Sequence, residues 1–395
     1  MIFSKYNIIV RDSLGNYIFY NSLWNKAIRL TQNNYNKINF YDLCLTNHDV
    51  LSFLYKNKFV IDESEEKNAL KEKYLLLTMK NSLNLTIIGT FACPYCYEDH
   101  SLSLKLKCSD YNKLIDYIRD KNISNIQINL FGGEPLLIID DLLSFINKLK
   151  SLNINVHGGI TTNGYLLTDS VFKNLIASNI TTYQITIDGN REIHDRQRCL
   201  INKSPTYDII LKNLKGIHNS SIKCNVIIRC NLYADTNINS FLNDFYLNFR
   251  DDNRFSLLLY PVADWGGDLH DQVKTSKIEI IKKYTKLLRD YHIRNAYFNL
   301  LLKENTFCDY YLRNSIVILP SMKVGKCTID FSNFIPFYDY VSKGNDYFNN
   351  LHFCNKTDCA IYPKCFGRIC PLAVKENVCK DRIEEIKVFL KEYFA

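Results

Sequence analysis

The sequence predicts an α/β fold, and three features of the chain support this prediction. Apolar, β-branched runs of strand length alternate with amphipathic stretches of helical length from residue 85 to residue 262. Glycine-containing turns follow three of the predicted strands, at Gly132-Gly133, Asn163-Gly164 and Asp188-Gly189. A cysteine-rich segment of weak periodicity begins after residue 306. This alternation is typical of a doubly wound parallel sheet or a partial barrel, where chemistry collects at the carboxyl ends of the strands.

The composition is that of a globular protein of two or three domains. The chain has 395 residues, of which 47% are hydrophobic and 23% are charged, so intrinsic disorder is excluded. The net charge of +8 is spread without a dense basic block, which argues against nucleic acid as a partner. No apolar run is long enough to cross a membrane or to act as a secretory signal. We therefore expect a cytoplasmic protein with neither a nucleic-acid nor a membrane partner.

Residues 1–84 are predicted to form a separate small α/β domain. The turn at Gly15-Asn16 separates two strand-like runs, and a charged periodic helix leads out of the domain. The predicted strands cover residues 8–11, 17–20 and 59–61, and the predicted helices cover residues 50–55 and 63–80.

Six strands and five helices are predicted for residues 85–264. The strands cover residues 85–89, 126–131, 155–161, 183–187, 223–229 and 255–262, and the helices cover residues 110–121, 137–151, 170–178, 207–218 and 238–249. A helical linker at residues 265–306 contains a further helix at 273–291. The cysteine-rich segment, residues 307–395, closes with a helix at 380–393.

Cysteine is the most informative residue type in this chain. There are 14 cysteines, and seven of them lie from Cys308 to Cys379. Thiols stay reduced in a cytoplasm, so this number suggests metal binding or catalysis rather than disulfides. Cys93 and Cys96 form a C-x-x-C motif directly after the first strand of the alternating region. By itself this motif is compatible with a metal centre, a redox pair or chance.

Polar motifs follow the later strands of the alternating region. Gly132, Gly133, Glu134 and Pro135 end one strand, which is either an ordinary strand-to-helix turn or a place where a ligand approaches the backbone. Similar polar groups stand at Thr161–Gly164, at Thr186–Gly189 with the downstream His194–Arg198, and at Arg229–Asn231. Together they place polar side chains along one edge of the predicted sheet.

The order of these motifs resembles the radical S-adenosylmethionine (SAM) enzymes, and the tail resembles their SPASM-type extension. Within that superfamily the chain looks most like maturases that modify ribosomally made peptides. The resemblance covers about residues 85–380 and implies a partial (β/α)6 TIM-type barrel, a small N-terminal α/β domain and a SPASM-like extension that binds auxiliary clusters.

The resemblance also assigns expected roles to individual residues. Cys93 and Cys96 match two of the three cysteines that hold a 4Fe–4S cluster, and Tyr95 matches an aromatic residue near the adenine of SAM. The segment that receives the SAM amino group is matched by Gly132, Gly133 and Glu134, followed by Pro135. Further SAM contacts are expected from Asn163, Thr186 and Arg229.

The chain departs from the family pattern at one cluster ligand. The family spacing is C-x-x-x-C-x-x-C, and the first cysteine position is here Gly89. An alternative alignment makes Cys93 the first cysteine and deletes four residues before Cys96. Either way one thiolate is missing, and a cluster held by two protein thiolates is expected to be labile.

The tail retains more of the family's cysteines. The family pairing places Cys308, Cys327 and Cys370 on one auxiliary cluster and Cys354, Cys359, Cys365 and Cys379 on another. Structural zinc is the alternative, because four-cysteine zinc sites use similar spacings. We expect two auxiliary 4Fe–4S clusters, together with SAM and a doubtful core cluster.

The implied function is radical modification of a ribosomally made precursor peptide. In this mechanism SAM is cleaved by one electron from an external reductant, and the resulting radical abstracts hydrogen from the peptide. Residues 1–84 resemble leader-peptide recognition regions. Two alternatives remain: a catalytically impaired paralogue that serves as a peptide-binding scaffold, and a zinc-stabilised binding protein.

Overall fold

The computed structural model describes residues 1–79, 82–88, 105–232, 238–261, 276–305, 308–312, 314–329, 333–343, 354, 356–367 and 378–395. Across these residues, no helix combines the length and the apolar character that a membrane span requires.

The N-terminal residues form a small α/β unit with an antiparallel sheet. The strands β2 (Asn7–Arg11), β3 (Tyr17–Asn21) and β4 (Lys26–Leu30) pair in sequence order. A second, two-stranded ladder joins β1 (Ile2–Phe3) to β5 (Val60–Ile61). The helices are α1 (Gln32–Asn36), α2 (His48–Lys56) and α3 (Glu63–Leu77). The predicted hairpin, helix, strand and outgoing helix of this unit are confirmed.

Strand β4 and helix α1 were not predicted from the sequence. The run Lys-Ala-Ile-Arg-Leu has two charged positions, which weaken its strand pattern. Its pairing with β3, in which Phe19 lies opposite Ile28, decides its conformation. Tertiary pairing thus overrides local propensity here.

The central sheet contains six consecutive parallel strands. They are β6 (Ser82–Ile88), β7 (Asn125–Phe131), β8 (Asn155–Thr162), β9 (Ile180–Thr186), β10 (Asn225–Leu232) and β11 (Phe255–Pro261). They lie side by side in sequence order. All six predicted strands are confirmed. Strand β9 begins three residues before its predicted start, because Thr182 pairs with both Gly159 and Asn225.

Helices connect these strands and cover one face of the sheet. They are α4 (Cys108–Asp120), α5 (Ile139–Ser151), α6 (Asp169–Ala177), α7 (Arg191–Gln197), α8 (Tyr207–Asn219) and α9 (Asn239–Phe249). On β7 every second residue, Ile126, Ile128 and Leu130, is buried in the core shared with these helices. We call the opposite side of the sheet the inner face, and the line of strand carboxyl ends the rim.

The cysteine-rich tail extends the same sheet beyond β6. Strand β12 (Ser315–Ile318) runs parallel to β6, and β13 (Lys323–Gly325) and β14 (Ile335–Pro336) continue the sheet in antiparallel pairings. This extension was not predicted. Strand β12 is short and buried along its whole length, so periodicity does not distinguish it from other apolar runs.

Helices from the linker and the tail join the N-terminal unit to the central sheet. Helix α10 (Lys277–Asp290) begins at a capping box between Ser276 and Glu279, which fixes its first turn. The tail adds α11 (Phe337–Lys343), α12 (Tyr362–Cys365) and α13 (Val378–Phe394). Ile386, Phe389 and Leu390 on α13 share one buried cluster with Ile8 and Ile18 of the N-terminal sheet. The helices predicted at 273–291 and 380–393 are confirmed.

Candidate functional site

The turn after β7 contains two glycines at the rim. Gly132 and Gly133 have φ angles of 72° and 50°, a left-handed conformation that glycine adopts without strain. Glu134 then begins a short 3-10 turn, and Pro135 follows it at a helix-start position where the missing N–H costs nothing. The predicted glycine segment therefore lies at the carboxyl end of β7.

The Glu134 carboxylate joins the ends of two neighbouring strands. It accepts hydrogen bonds from the Thr162 hydroxyl at 2.6 Å, the Asn163 amide at 2.8 Å and the Leu136 amide at 3.1 Å. Burial raises the pKa of Glu134 and outweighs these three hydrogen bonds. Its side chain is only 3% exposed, so the carboxylate fixes the rim between β7 and β8. The predicted contact with the amino group of SAM stays a prediction.

A second network fixes the rim between β9 and β10. Buried Asp188 accepts a hydrogen bond from Arg198 Nε at 2.5 Å and another from the Asn231 amide at 2.9 Å. The Asp188 amide donates to His194 Nδ1 at 3.2 Å. Thr206 donates its hydroxyl hydrogen to the Arg198 carbonyl, so His194 Nε2 carries the proton and donates to Thr206. The His194–Arg198 motif therefore stabilises the ends of β9 and β10 through buried hydrogen bonds to Asp188.

The cationic group nearest the end of β10 is held in a fixed orientation. Arg229 Nε donates to Asn231 Oδ1 at 2.8 Å, and the Arg229 guanidinium lies 4.6 Å from the centre of the Tyr260 ring. Its register partner on β9 is Thr186, which is 7% exposed. Arg229 and Thr186, both predicted to contact SAM, thus stand side by side on neighbouring strands.

The inner face of the sheet is polar along most of its length. On β10 buried and half-buried residues alternate strictly, so the residues between the core positions point to the opposite face. The polar side chains of the inner face include Asn84, Gln127, Asn129, His157, Thr182, Gln184, Thr186, Asn225, Arg229, Asn231, Ser256 and Tyr260. Apart from Thr186, Arg229 and Asn231, sequence reasoning missed this set, although the alternation of polar and apolar residues in β7 and β10 was its signal. Such a face suits a ligand rich in hydrogen-bonding groups.

The structure describes part of the predicted cluster ligands. Cys93, Cys96, Tyr95 and Gly89 lie outside the described residues, as does Cys370, and only the backbone of Cys379 is described, in the first turn of α13. Cys308 and Cys327 flank β12 and β13 in the sheet extension. Among the described residues, no three His, Cys, Asp or Glu side chains form a metal-binding group.

Two of the tail cysteines lie close to the same tyrosine. Burial raises the pKa of Tyr362, and the nearby Cys365, Tyr74 and Cys354 raise it further. The Cys354 amide donates to the Gly367 carbonyl at 2.6 Å, which ties the loop of Cys354 to the end of α12. Cys354 and Cys365, expected on one cluster, thus share a neighbourhood around Tyr362.

Cys230 packs in the interior of the protein. Cys230 is fully buried on the helix-covered side of β10, and its sulfur accepts a hydrogen bond from the Gly189 amide at 3.3 Å. Burial raises the pKa of the Cys230 thiol. The expectation that Cys230 packs in the core is confirmed.

Comparison with known proteins identifies the central part of the chain. Residues 83–243 match the Radical SAM superfamily. Over 164 residues the chain is 28% identical to a cysteine-type anaerobic sulfatase-maturating enzyme of Clostridium novyi. This match covers 39% of the present chain and 44% of that enzyme, so the chain spans less than half the length of its curated relative.

Solved structures share the fold over a larger part of the chain. Native anSMEcpe with bound AdoMet superimposes with a TM-score of 0.58 at 17% identity, over 79% of this chain and 97% of that one. SuiB of Streptococcus suis, bound to the precursor peptide SuiA, gives a TM-score of 0.51 at 15% identity, over 95% of this chain and 97% of that one. The predicted partial barrel is confirmed by these likenesses.

Proposed function

Because residues 83–243 form a radical SAM domain, we propose that this chain is an enzyme that modifies a ribosomally made precursor peptide. The curated relative is a maturase, and the solved structure of similar fold from Streptococcus suis holds a precursor peptide. The observation that carries the proposal is the polar inner face, which leads from the rim to the opposite end of the sheet. Its carboxamide and hydroxyl side chains match the hydrogen-bonding groups of an extended peptide backbone.

The rim residues fit a ligand such as SAM. Gly132 and Gly133 offer backbone groups at close approach, and Arg229 offers a fixed guanidinium for a carboxylate or for hydroxyl oxygens. Glu134 and Asp188 hold the strand ends in place from inside the protein, so the rim is rigid before a ligand arrives. When bound, SAM and its iron–sulfur cluster supply hydrogen-abstraction chemistry. The protein's own residues orient the ligands and keep the inner face ordered.

The N-terminal unit has the features of a peptide-recognition domain. In the three-stranded sheet, β4 lies at the edge, and an edge strand offers unpaired backbone groups to an added chain. Phe40 and Tyr41, both exposed, lie in the loop after α1 and provide apolar contact area. The likeness to SuiB covers 95% of the chain and therefore reaches into this unit. We assign leader-peptide binding to residues 1–84.

The tail is proposed to hold two auxiliary 4Fe–4S clusters. Thiolates are the preferred ligands of iron–sulfur clusters, and the tail contains seven cysteines, five of which follow α11. Ligation by Cys308, Cys327 and Cys370, and by Cys354, Cys359, Cys365 and Cys379, would tie distant parts of the tail together.

The activity is tested by measuring 5′-deoxyadenosine released from SAM under dithionite after anaerobic reconstitution. We expect weak cleavage by the natural chain, because Gly89 supplies no third thiolate to the core cluster. Gly89→Cys is expected to raise the rate at least tenfold, whereas Gly89→Ser, which lacks a soft ligand, leaves it unchanged. Fast cleavage by the natural chain would contradict the assignment of two core thiolates.

A second candidate function is a catalytically inactive peptide-binding scaffold. Gly89 at a cluster-ligand position favours it. The enzyme and the inactive scaffold are distinguished by adding a short peptide, encoded next to the gene, to the same assay. Binding of that peptide without deoxyadenosine formation, in the natural chain and in Gly89→Cys alike, would establish the scaffold. Peptide modification would establish the enzyme.

A further inference from the structure

A cavity lies on the inner face at the amino-terminal half of the strands, away from the rim. Its volume is about 270 Å³. Strands β7 to β11 form one wall, and residues 296–304, which include a π-helical segment, form the other. From Asn129, the lining residue of β7 nearest the rim, to Phe131 is two residues, or ~7 Å along an extended strand. The cavity is therefore separate from the motif residues at the rim.

The wall of the cavity is polar and nearly neutral. The sheet contributes carboxamides, hydroxyls and one imidazole, and the opposite wall adds Asn299. The polar residues of this lining are Gln127, Asn129, His157, Thr181, Thr182, Asn225, Ser256, Asn299 and Glu304. Glu304 is the one carboxylate among the lining residues, and the lining contains no lysine and no arginine. Ile227, Ala296 and Leu300 add apolar contact area suited to an alkyl chain.

Glu304 is an exposed residue that borders the cavity, so its carboxylate can accept further hydrogen bonds. It makes no hydrogen bond or ion pair with any residue that the structure describes. The ammonium of Lys364 lies nearby, but it donates to the Glu304 backbone carbonyl at 2.5 Å rather than to the carboxylate. Partial desolvation raises the pKa of Glu304, whereas Lys364 lowers it and Asp309 raises it. A second cation that enters the cavity would be attracted to this exposed carboxylate.

We propose that this cavity binds a cationic side chain of the lysine type, with its ammonium on Glu304 and its alkyl part against Ile227 and Leu300. The neutral carboxamides and hydroxyls of the sheet accept the remaining ammonium hydrogens. This inference deepens the proposed function, because it names the class of side chain that a peptide on the inner face places at the amino-terminal end of the sheet. Binding at the cavity requires neither SAM nor a cluster.

The test uses two small probes that differ at one group. They are N-acetyl-lysine methylamide and N-acetyl-norleucine methylamide, which present the same alkyl chain with and without the ammonium. Binding to the full-length, anaerobically purified chain is measured by ligand-observed NMR titration at low salt. We expect the lysine probe to bind at least tenfold more tightly than the norleucine probe.

Two variants locate the binding in this cavity. Glu304→Gln keeps the shape of the side chain and removes its charge. It is therefore expected to weaken binding of the lysine probe about tenfold and to leave binding of the norleucine probe unchanged. Gln127→Glu adds a carboxylate on the opposite wall, so it is expected to increase the affinity for the lysine probe severalfold. Glu384→Gln makes the same charge change on an exposed position of α13 and is the matched control, with no expected effect.

Equal binding of the two probes, or binding of neither, would overturn the proposal. So would a lysine affinity that is insensitive to Glu304→Gln and Gln127→Glu. None of these measurements depends on SAM cleavage. An inactive enzyme that still binds the lysine probe would therefore refute the proposed activity while supporting the cavity.

Discussion

At the scale of single residues, the rim depends on buried polar groups whose partners are all inside the protein. His194 is fully buried and bonds through both ring nitrogens, to the Asp188 amide and to the Thr206 hydroxyl. Since Nδ1 must accept a hydrogen bond, only the neutral imidazole satisfies this arrangement. Protonation of His194 would break the contact with Asp188 and loosen the end of β9.

This arrangement predicts acid sensitivity. Burial lowers the pKa of His194 from 6.5 to about 4, with opposing effects from Asp188 and Arg198. Between pH 4 and pH 6.5 the unfolded chain therefore binds more protons at this histidine than the folded chain does. The stability that neutral His194 contributes is present above pH 6.5 and is lost as the pH falls. We expect this group to lower the free energy of unfolding by about 2 kcal/mol from pH 7 to pH 5.

Urea unfolding of the natural chain and of His194→Gln at both pH values measures this contribution. The variant is expected to lose about 2 kcal/mol less on acidification. His48→Gln, at an exposed histidine, serves as the control and should follow the natural chain. An identical pH dependence in the natural chain and His194→Gln would show that His194 does not carry the effect.

At the scale of elements, close contact between β7 and β8 requires a residue without a side chain. A Cβ atom on Gly158 would lie 1.9 Å from the backbone oxygen of Ile128. The register between β8 and β9 shifts at Gly158 and Gly159, so the pairing of these two strands is irregular there, as at a β-bulge. The glycine pair in β8 thus sets the spacing of strands whose carboxyl ends carry the motif residues.

Alanine substitutions at two glycines test this explanation. Gly158→Ala is expected to cost about 3 kcal/mol of unfolding free energy, because the backbone of β7 must move to admit the methyl group. Gly216→Ala, within α8 where an added Cβ meets no atom within 4 Å, is expected to stabilise by about 0.5–1 kcal/mol. Denaturant unfolding of both variants measures whether each substitution lowers or raises the free energy of unfolding. A Gly158→Ala variant with unchanged stability would refute the packing argument.

At the scale of the whole molecule, buried polar contacts connect the N-terminal unit to the tail. The Ser22 hydroxyl donates to the Ala360 carbonyl of the tail at 2.5 Å. Within the N-terminal unit, Lys73 donates to the carbonyls of Ser22 and Leu23. Burial lowers the pKa of Lys73 to about 8. The ammonium of Lys364 lies 5.9 Å from the centre of the Tyr20 ring. These contacts place the predicted recognition unit and the cysteine-rich tail against each other.

The assignment of clusters to the tail predicts its metal content. Anaerobic reconstitution is expected to load iron and sulfide, and Cys354→Ala/Cys365→Ala should remove about four iron atoms per chain, the content of one 4Fe–4S cluster. Cys44→Ala/Cys199→Ala is the control for loss of thiols in general and should retain all the iron. Stoichiometric zinc without broad charge-transfer absorbance would contradict the cluster assignment.

The local rules of strand and helix formation recovered most of the barrel. The six parallel strands and their helices follow from hydrophobic periodicity and turn residues, which act over a few neighbouring positions. The sheet extension did not follow, because β12 is a buried run of four residues whose pairing with β6 joins parts of the chain more than 200 residues apart. Sequence separation also hid the opposite wall of the cavity, because Glu304 lies 177 residues after Gln127 on the facing strand β7.

The sequence by itself determined the α/β alternation, the positions of the glycine and polar motifs at strand ends, and the number and spacing of the cysteines. Only the packed chain shows that Glu134 and Asp188 turn their carboxylates into the protein. It also decided that a lone carboxylate borders a neutral polar cavity. The physical reason is that burial and hydrogen bonding depend on partners from distant segments, which only the packed chain brings within a few ångströms.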